Sequence, residues 1–226
     1  SVTQGFRISA AECRHNIVWV TTYNTSYSSC TGFYNEIHLI SEASTGDRVF
    51  SLEGSHNKIS VVAHESGMLN YTVYMSGNEN TVHVESDYAR MQHVYCGGNN
   101  NTFTGILANG DQGVRFLSNA RGNIVYGMRI TNMSFRGITE AVGCDYNLVV
   151  GCEIEDCGTA VVLEGANSRI IACPRFENSG TATNTTATTF VFNHGLAGTP
   201  TGVWASFNTT EITGWTWTAT STQITI

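Results

Sequence analysis

The stretches RGNIVYGMRI (residues 121–130) and DYNLVVGCEI (residues 145–154) share one pattern: an asparagine, three mostly apolar residues, a glycine, and an isoleucine three residues after it. The pattern recurs along the chain, and successive copies are 19 to 24 residues apart. Self-similarity at this period is typical of a solenoid in which each copy forms one coil. The repeat asparagines are Asn16, Asn35, Asn57, Asn80, Asn101, Asn123 and Asn147, and Ser168 takes the place of the asparagine in an eighth copy.

Apolar residues alternate within each copy, over a length typical of a strand. The second residue after the repeat asparagine is apolar in all eight copies, and the fourth is apolar or small. Period-two alternation predicts that both positions face inward. The expected core includes Val18, Ile59, Val82, Val125 and Val149.

The sequence therefore predicts an all-β fold, a right-handed, single-stranded parallel β-helix of about eight coils over residues 1–178. Asparagines stacked at about 4.8 Å per coil are expected to bond one another in a ladder. Asparagine also tolerates the left-handed conformation of a bend. An irregular β-sandwich is the alternative fold, and the near-constant register of eight copies argues against it.

Composition limits the partners. Charged residues make up 13 % of the chain, lysine occurs once, and the net charge is −7. A nucleic-acid surface needs clustered lysine and arginine, so we expect no nucleic-acid partner. The sequence has no run of 18 apolar residues, so we expect no transmembrane helix and no membrane partner.

The seven cysteines contain no C-x-x-C pair. Cys152 and Cys173 occupy the same repeat position, which predicts that they are neighbours on adjacent coils. Small buried thiols are the preferred interpretation, with no metal and no cofactor. A zinc site at the cysteines is the alternative.

The chain divides into three segments. Residues 179–189 form a polar stretch without a pattern and are interpreted as a linker, and residues 190–226 are predicted to be a small C-terminal β domain. The first residues already follow the coil pattern, and an open solenoid end exposes unpaired strand edges. We therefore expect the chain to be a fragment that lacks an N-terminal part.

The combination of these coils with FNHGLAGTPTGVWASF (residues 192–207) and STQITI (residues 221–226) resembles bacteriophage tailspike and tail-fibre proteins with a pectate-lyase-like β-helix. The stretch from His194 to Pro200 is similar to the start of a small C-terminal domain in such proteins. In that family the domain continues past this point, so it is expected to be incomplete here. The resemblance implies a homotrimer, a location in the virion tail with action outside the cell, and a bacterial surface polysaccharide as ligand or substrate.

Titratable residues concentrate in the middle coils. Glu42, His64 and Asp87 each lie seven residues after a repeat asparagine, which predicts a stack of side chains about 5 Å apart. Other polar residues with acid–base or binding chemistry lie near this stack in sequence: Glu85, His83, Tyr88, Arg90 and Asp111.

These residues fit two reaction schemes. Glycoside hydrolysis needs two carboxyl groups, for which Asp87 with Glu85 or Asp111 are the candidates. Lyase chemistry needs a base and a group that neutralises a uronate, for which His64, Tyr88 and Arg90 are the candidates. We therefore predict Asp87, His64, Glu85 and Asp111 as catalytic residues. Glu42, His83, Tyr88 and Arg90 are predicted to bind substrate. The alternative is that these polar residues form only a solvated face and have no catalytic or binding role.

The outward positions of the last three coils are largely apolar, unlike those of the middle coils. A contiguous apolar stripe usually marks a partner surface, and we expect a homotrimer to bury it. The alternative is that the C-terminal segment of the chain folds back over this stripe and covers it. The stripe consists of Ile124, Tyr126, Leu148, Val150 and Ile171. A second acidic group near Arg129 and Arg136 is expected to form ion pairs between coils.

Three functions remain open from the sequence. The first is an enzyme, a tailspike-type hydrolase or lyase that binds and depolymerises a bacterial surface polysaccharide. The second is a non-catalytic receptor-binding β-helix of a tail fibre, and the third is a structural shaft. The sequence contains no nucleophile or metal motif that separates them.

Overall fold

The computed structural model describes residues 7–8, 14–23, 28–42, 47–64, 70–165, 167–174, 191–193, 216–220 and 223–226. Within these ranges the regular structure is β-strand throughout, and no helix long and apolar enough to cross a membrane is found among them. The strands, in chain order, are β1 (Arg7–Ile8), β2 (Ile17–Tyr23), β3 (Ser28–Cys30), β4 (Glu36–Glu42), β5 (Arg48–Leu52), β6 (Lys58–His64), β7 (Tyr71–Met75), β8 (Thr81–Ser86), β9 (Ala89–Cys96), β10 (Thr102–Phe116), β11 (Ile124–Tyr126), β12 (Arg129–Glu140), β13 (Leu148–Val150), β14 (Glu153–Glu155), β15 (Thr159–Val162), β16 (Arg169–Ile171), β17 (Val191–Asn193), β18 (Thr218–Ala219) and β19 (Gln223–Thr225).

The predicted parallel β-helix is confirmed. The strands that follow the repeat asparagines stack in parallel on one side, which we call the first face: β2, β4, β6, β8, the start of β10, β11, β13 and β16. The second face stacks β1, β3, β5, β7, β9, the ends of β10 and β12, and β15. The 15-residue strand β10 runs through the bend between the two faces and belongs to both.

The core lies between these faces, as the alternation predicts. Ile59, Val82, Val125 and Val149 are buried, and the partly buried Val18 packs against the same cluster at its edge. Their register is constant, because each of these residues faces its counterpart one coil on. Branched side chains stacked in this way remove apolar surface from water along the whole coil axis.

The prediction for the fourth residue after the repeat asparagine holds for the second to fourth copies and is wrong for the last three. Gly127, Gly151 and Ala172 are exposed, and their φ angles are 57°, 61° and 52°. This left-handed backbone ends each strand after three residues, so the fifth residue turns inward instead. The buried residues at this fifth position are Met128, Cys152 and Cys173.

The predicted contact between Cys152 and Cys173 is confirmed. The Cys152 backbone N–H donates to Cys173 Sγ at 3.2 Å, and both side chains are buried. The hydrogen bond that Cys173 receives from the Cys152 thiol lowers the pKa of Cys173 and raises that of Cys152. The cysteines are therefore packed as neighbouring thiols on the last two coils.

The repeat asparagines form the predicted ladder along the corner before the first face. In Asn80, Nδ2 donates to Asn101 Oδ1 at 3.1 Å, and the backbone N–H donates to the same oxygen at 2.8 Å. Nδ2 also donates to the Gly54 carbonyl at 3.0 Å. Asn57, Asn101 and Asn123 repeat these contacts, so each buried amide bonds the coils on both of its sides.

The left-handed backbone expected at the asparagine belongs to the residue before it. His15, Tyr34, His56, Glu79, Asn100 and Tyr146 occupy that position with φ between 56° and 58°. The residue three before the asparagine approaches the previous coil closely. A Cβ on Gly77 would lie 1.8 Å from the Gly54 carbonyl oxygen, so this position requires glycine in the middle coils.

A buried carboxylate ends the ladder. Glu140, 3 % exposed, accepts hydrogen bonds from Asn147 Nδ2 at 2.8 Å and from Ser168 Oγ at 2.7 Å. Its second carboxyl oxygen accepts from the backbone N–H groups of Glu164 and Gly165. Ser168 has no amide group, so it cannot extend the ladder. Glu140 instead accepts the hydrogen bond of the last amide, that of Asn147.

A small antiparallel sheet follows the solenoid. It consists of β17, β19 and β18, with β19 in the centre. The predicted linker at residues 179–189 and the stretch from His194 to Pro200 lie outside the described residues. The segment boundaries therefore stay predictions.

Replacing Asn80 by alanine is expected to lower the free energy of unfolding by about 3 kcal/mol or more, because buried amide and carbonyl groups on both adjacent coils lose their partners. Chemical denaturation measures the change. Asn16→Ala is the matched control, since Asn16 is at the exposed end of the ladder. Equal losses in the two variants would contradict a ladder whose strength comes from burial.

Candidate functional site

The predicted stack of Glu42, His64 and Asp87 is present on adjacent coils. Glu42 is in register with His64 where β4 pairs with β6. The His64 Nδ1 atom lies 3.5 Å from Asp87 Oδ2. All three side chains are exposed at the end of the first face, where the chain bends towards the second.

Other titratable residues of the first face form separate pairs. His83 Nε2 lies 3.1 Å from Glu85 Oε1, and His83 Nδ1 lies 3.0 Å from Thr104 Oγ1. On the coil next to that of His83, Lys58 Nζ donates at 2.8 Å to Glu36 Oε1, which lies one coil further away, and lowers the pKa of this carboxyl group. The side chains of His83 and Glu85 are 43 % and 49 % exposed, so they form a solvated pair.

A cleft of about 380 Å³ opens at the bend beside Asp87. Three successive coils line it, through the start of β9, the middle of β10 and the middle of β12. Its lining is Tyr88, Ala89, Arg90, Asn109, Gly110, Asp111, Asn132 and Ser134.

The cleft exists because the coil that carries Asp111 has one residue fewer at this bend than each of its neighbours. Between Gly110 and Gln112 the register shifts on both sides, so that Asp111 faces two residues of β9 and two of β12. The paired residues, Arg90–Met91 and Ser134–Phe135, are exposed, whereas Asp111 is half-buried. Two bulges on adjacent strands thus leave Asp111 recessed between them.

Hydrogen bonds fix the polar groups of the cleft. Ser134 Oγ donates to Asp111 Oδ1 at 2.9 Å, and Asn132 Nδ2 donates to Asn109 Oδ1 at 2.6 Å. Asn109 Nδ2 in turn donates to the Asp87 carbonyl at 3.1 Å. Both asparagines have a φ of 56°, a left-handed bend that asparagine tolerates. The cleft is therefore a connected polar surface.

A buried histidine supports the cleft from inside. His93 is fully buried, and its Nδ1 atom lies 2.8 Å from Ser86 Oγ, which is also 2.8 Å from the Thr72 hydroxyl. A Cβ on Gly110 would lie 2.8 Å from His93 Nε2, so only glycine leaves room for the ring. Burial lowers the pKa of His93 to about 3, which keeps the imidazole neutral.

The structure brings together part of the predicted site. Tyr88, Arg90 and Asp111 line the cleft, and the backbone of Asp87 is bonded to it. His64 contacts Asp87, and Glu42 lies one coil further away. Glu85 and His83 stay on the first face, outside the cleft lining.

Sequence reasoning missed the cleft residues Asn109, Asn132 and Ser134. Asn109 and Asn132 are 23 residues apart, which is one coil period, so a second asparagine repeat was present in the sequence. Its two members are too few to distinguish from chance in an asparagine-rich chain. The bulges that expose them depend on strand pairing.

Comparisons with protein-family models, with curated proteins and with solved structures find no match for this chain.

The chemistry of the cleft suits a ligand rich in hydroxyl groups. It presents carboxylate and amide acceptors, amide and guanidinium donors, a hydroxyl group, and the ring of Tyr88, which is 36 % exposed. The cleft is open at the surface and contains few apolar groups. An extended polar polymer lying across the coils fits this shape better than an enclosed apolar ligand.

Replacing His93 by glutamine is expected to reduce the pH dependence of stability. Because the folded-state pKa of about 3 lies below the unfolded value of 6.5, the unfolded chain binds one more proton between these pH values. The native protein therefore loses about 1.4 kcal/mol of stability per pH unit from this group as the pH falls. Denaturant unfolding at pH 6.5 and pH 4.5 measures the slope. A His93→Gln variant with the same slope as the parent protein would contradict a buried neutral imidazole.

Proposed function

We propose that this chain is part of a viral tailspike-type protein that binds a bacterial surface polysaccharide in the cleft between Tyr88 and Ser134. The observation that carries the proposal is the recessed Asp111 with bonded polar groups around it on three coils. Hydroxyl groups of a sugar exchange hydrogen bonds with such fixed donors and acceptors at little cost in ordering. The resemblance to tailspike proteins supports the same ligand class and a location in the virion tail.

Depolymerisation of the bound polysaccharide is a second candidate function. It is favoured by two carboxylates at the cleft, Asp111 in its floor and Asp87 at its rim, and by the contact of Asp87 with His64. A hydrolase uses one carboxyl group as acid and the other as base or nucleophile. Glu85 is not part of this proposal, because it pairs with His83 on the first face.

Asp111→Asn and Asn132→Ala are expected to weaken binding to a susceptible bacterial capsule by about tenfold each, because each removes a charged or bonded group from the cleft. Isothermal titration with purified capsule fragments measures the affinity. Glu85→Gln is the control, since it removes a carboxylate from the same coils outside the cleft. Capsule binding that survives both cleft variants would contradict the proposed site.

Asp87→Asn tests the proposed depolymerisation with the same bacterial capsule. If Asp87 transfers a proton during cleavage, the variant should lose a factor of about 10² to 10⁴ in the rate of reducing-end or unsaturated-product release. Capsule affinity should stay within about threefold, because the side chain keeps its shape. Binding without any turnover by the parent protein would instead assign the non-catalytic receptor-binding function, and absence of sugar binding would favour a structural shaft.

We further propose that the protein assembles as a homotrimer through the outer face of the last coils. Ile124 is in register with Leu148, and Tyr126 with Val150 and Ile171, so the apolar side chains form two adjacent columns. Tyr126 is 58 % exposed and Ile171 is 43 % exposed, so no described part of the chain covers them. A closed symmetric assembly would bury these columns without leaving an open surface.

Changing Leu148 and Val150 together to aspartate is expected to convert trimers to monomers, because an unpaired charge is costly to bury. Light scattering measures the mass. Thr102→Asp is the matched control: Thr102 precedes Ile124 in the same column but lies on a polar coil. A trimer that survives the double change, or a parent protein that is monomeric, would contradict this interface.

A further inference from the structure

Two arginines of the second face form no ion pair with a described carboxylate. Arg115 at the end of β10 is in register with Thr139 at the end of β12. Arg136 Nη1 donates to Thr139 Oγ1 at 3.0 Å, so the residue in register with Arg115 is hydrogen-bonded to Arg136. Thr139 is 2 % exposed.

The absence of a counter-charge distinguishes this pair from neighbouring arginines. Arg48 lies 3.3 Å from an Asp47 carboxyl oxygen, and Arg129 lies 3.3 Å from that of Glu153. The latter contact bears out the expected ion pairing between coils. Among the described residues, no ion pair forms at Arg115 or Arg136. Two positive charges without an ion-pair partner among the described residues therefore lie on the same face of a chain whose net charge is −7.

Aromatic rings extend the surface below the arginines. The Arg115 guanidinium lies 5.7 Å from the centre of the Tyr95 ring, and Tyr95 packs against Tyr71 and Tyr74 at 4.8 and 5.6 Å. Tyr74, Tyr95 and Arg115 are in register on three successive coils. At about 4.8 Å per coil, they form a ribbon parallel to the helix axis.

The layer under this ribbon is polar and incompletely bonded. Gln92 and Gln112 lie in register between Tyr71 and Arg136 and are 1 % and 5 % exposed. The Gln92 side-chain oxygen has no hydrogen-bond partner among the described residues. A buried polar atom without a partner costs stability, and its presence beside two unpaired cations is unusual for a surface with only a packing role.

We propose that this ribbon, formed by Tyr74, Tyr95, Arg115 and Arg136, binds an acidic polysaccharide through the carboxylate of a hexuronate unit. A guanidinium group matches a carboxylate with two parallel hydrogen bonds, and neither Arg115 nor Arg136 forms an ion pair with a described residue that would compete for it. The tyrosine rings, which pack on each other and on Arg48 and Arg115, add partly exposed aromatic surface for the sugar rings that follow. The net negative charge of the chain repels a polyanion, so the carboxylates of such a ligand are expected near these arginines.

Single-stranded nucleic acid also combines phosphates with stacked rings, but it is bound by a groove with many cations. Here the local positive charge comes from Arg115 and Arg136 and from Arg48, which pairs with Asp47. Asp47 and Glu53 lie towards the lower end of the same face. Because these carboxylates repel an anionic ligand, such a ligand is expected at the coils that carry Arg115 and Arg136. A polymer with widely spaced carboxylates fits this arrangement better than one with a phosphate at every unit.

The ribbon adjoins the cleft without being part of it. Ser134 of the cleft and Arg136 of the ribbon are two residues apart on β12, and the exposed Phe135 lies between them. The Arg136 guanidinium lies 4.4 Å from the centre of the Phe135 ring. One polymer can therefore contact both, while short oligomers test the ribbon independently of the function proposed for the cleft.

The experiment is a calorimetric titration of the protein with short alginate oligomers, which consist of hexuronate units, and with dextran oligomers, which are neutral. We expect binding of alginate only. The double variant Arg115→Gln/Arg136→Gln should weaken it by about tenfold or more, and Tyr95→Leu by about fivefold. Arg129→Gln removes the same charge from a paired arginine on β12 and should change the affinity by less than twofold.

Arg115→Lys keeps the charge but not the planar fork, so it should still weaken binding by about threefold. This variant also keeps the proposal testable if the double change disturbs folding, which thermal unfolding would reveal. Absence of alginate binding, equal losses in the Arg129→Gln control, or equally tight binding of single-stranded DNA would overturn the proposal. Loss of alginate binding in Asp111→Asn with full binding in the arginine variants would also overturn it, by placing the oligomer in the cleft.

Discussion

The hydrogen bonds between the repeat asparagines are the constraint on which the rest of the solenoid depends. Each buried amide needs partners, and in the middle coils it bonds the amide of the next coil and the carbonyl group of the previous one. This requirement fixes the spacing of the coils and aligns all strands of the first face. Core residues then stack in register, and outward residues form columns that run along the helix axis.

Because the strands of the first face keep a constant register, irregular backbone occurs in the other parts of each coil. Coils differ in length by a few residues, and part of the difference is absorbed where the chain bends towards the second face. Asp111 lies on a coil that is shorter at this point than both of its neighbours, and the two bulges beside it create the cleft. The candidate site is thus a consequence of unequal coils held in a common register, and His93 fills the space behind it.

The two faces differ in how their charges are arranged, and this difference bears on function. On the first face, histidines and carboxylates pair with each other, so little uncompensated charge is left for a ligand. On the second face, Arg115 and Arg136 have no such partner among the described residues and lie beside aromatic rings. Solvated pairs stabilise a surface only slightly, whereas unpaired fixed charges favour a ligand of the opposite sign. This contrast is the reason that we propose ligand binding at the bend and the second face.

The sequence by itself determined the coil. The spacing of the asparagines and the alternation of apolar residues around them are local patterns, and a single alignment of the coils satisfies both. From it followed the core positions, the ladder, the contact of Cys152 with Cys173, and the stack of Glu42, His64 and Asp87. Only the tertiary structure decided where the fourth position turns outward, how Glu140 ends the ladder, and which cations stay unpaired. It also placed Glu85 and Asp111 at different parts of the surface, although the sequence analysis predicted both near the stack of Glu42, His64 and Asp87. The physical reason is that period identifies neighbours one coil apart, while bulges, left-handed residues and charge pairing depend on the backbone path between them.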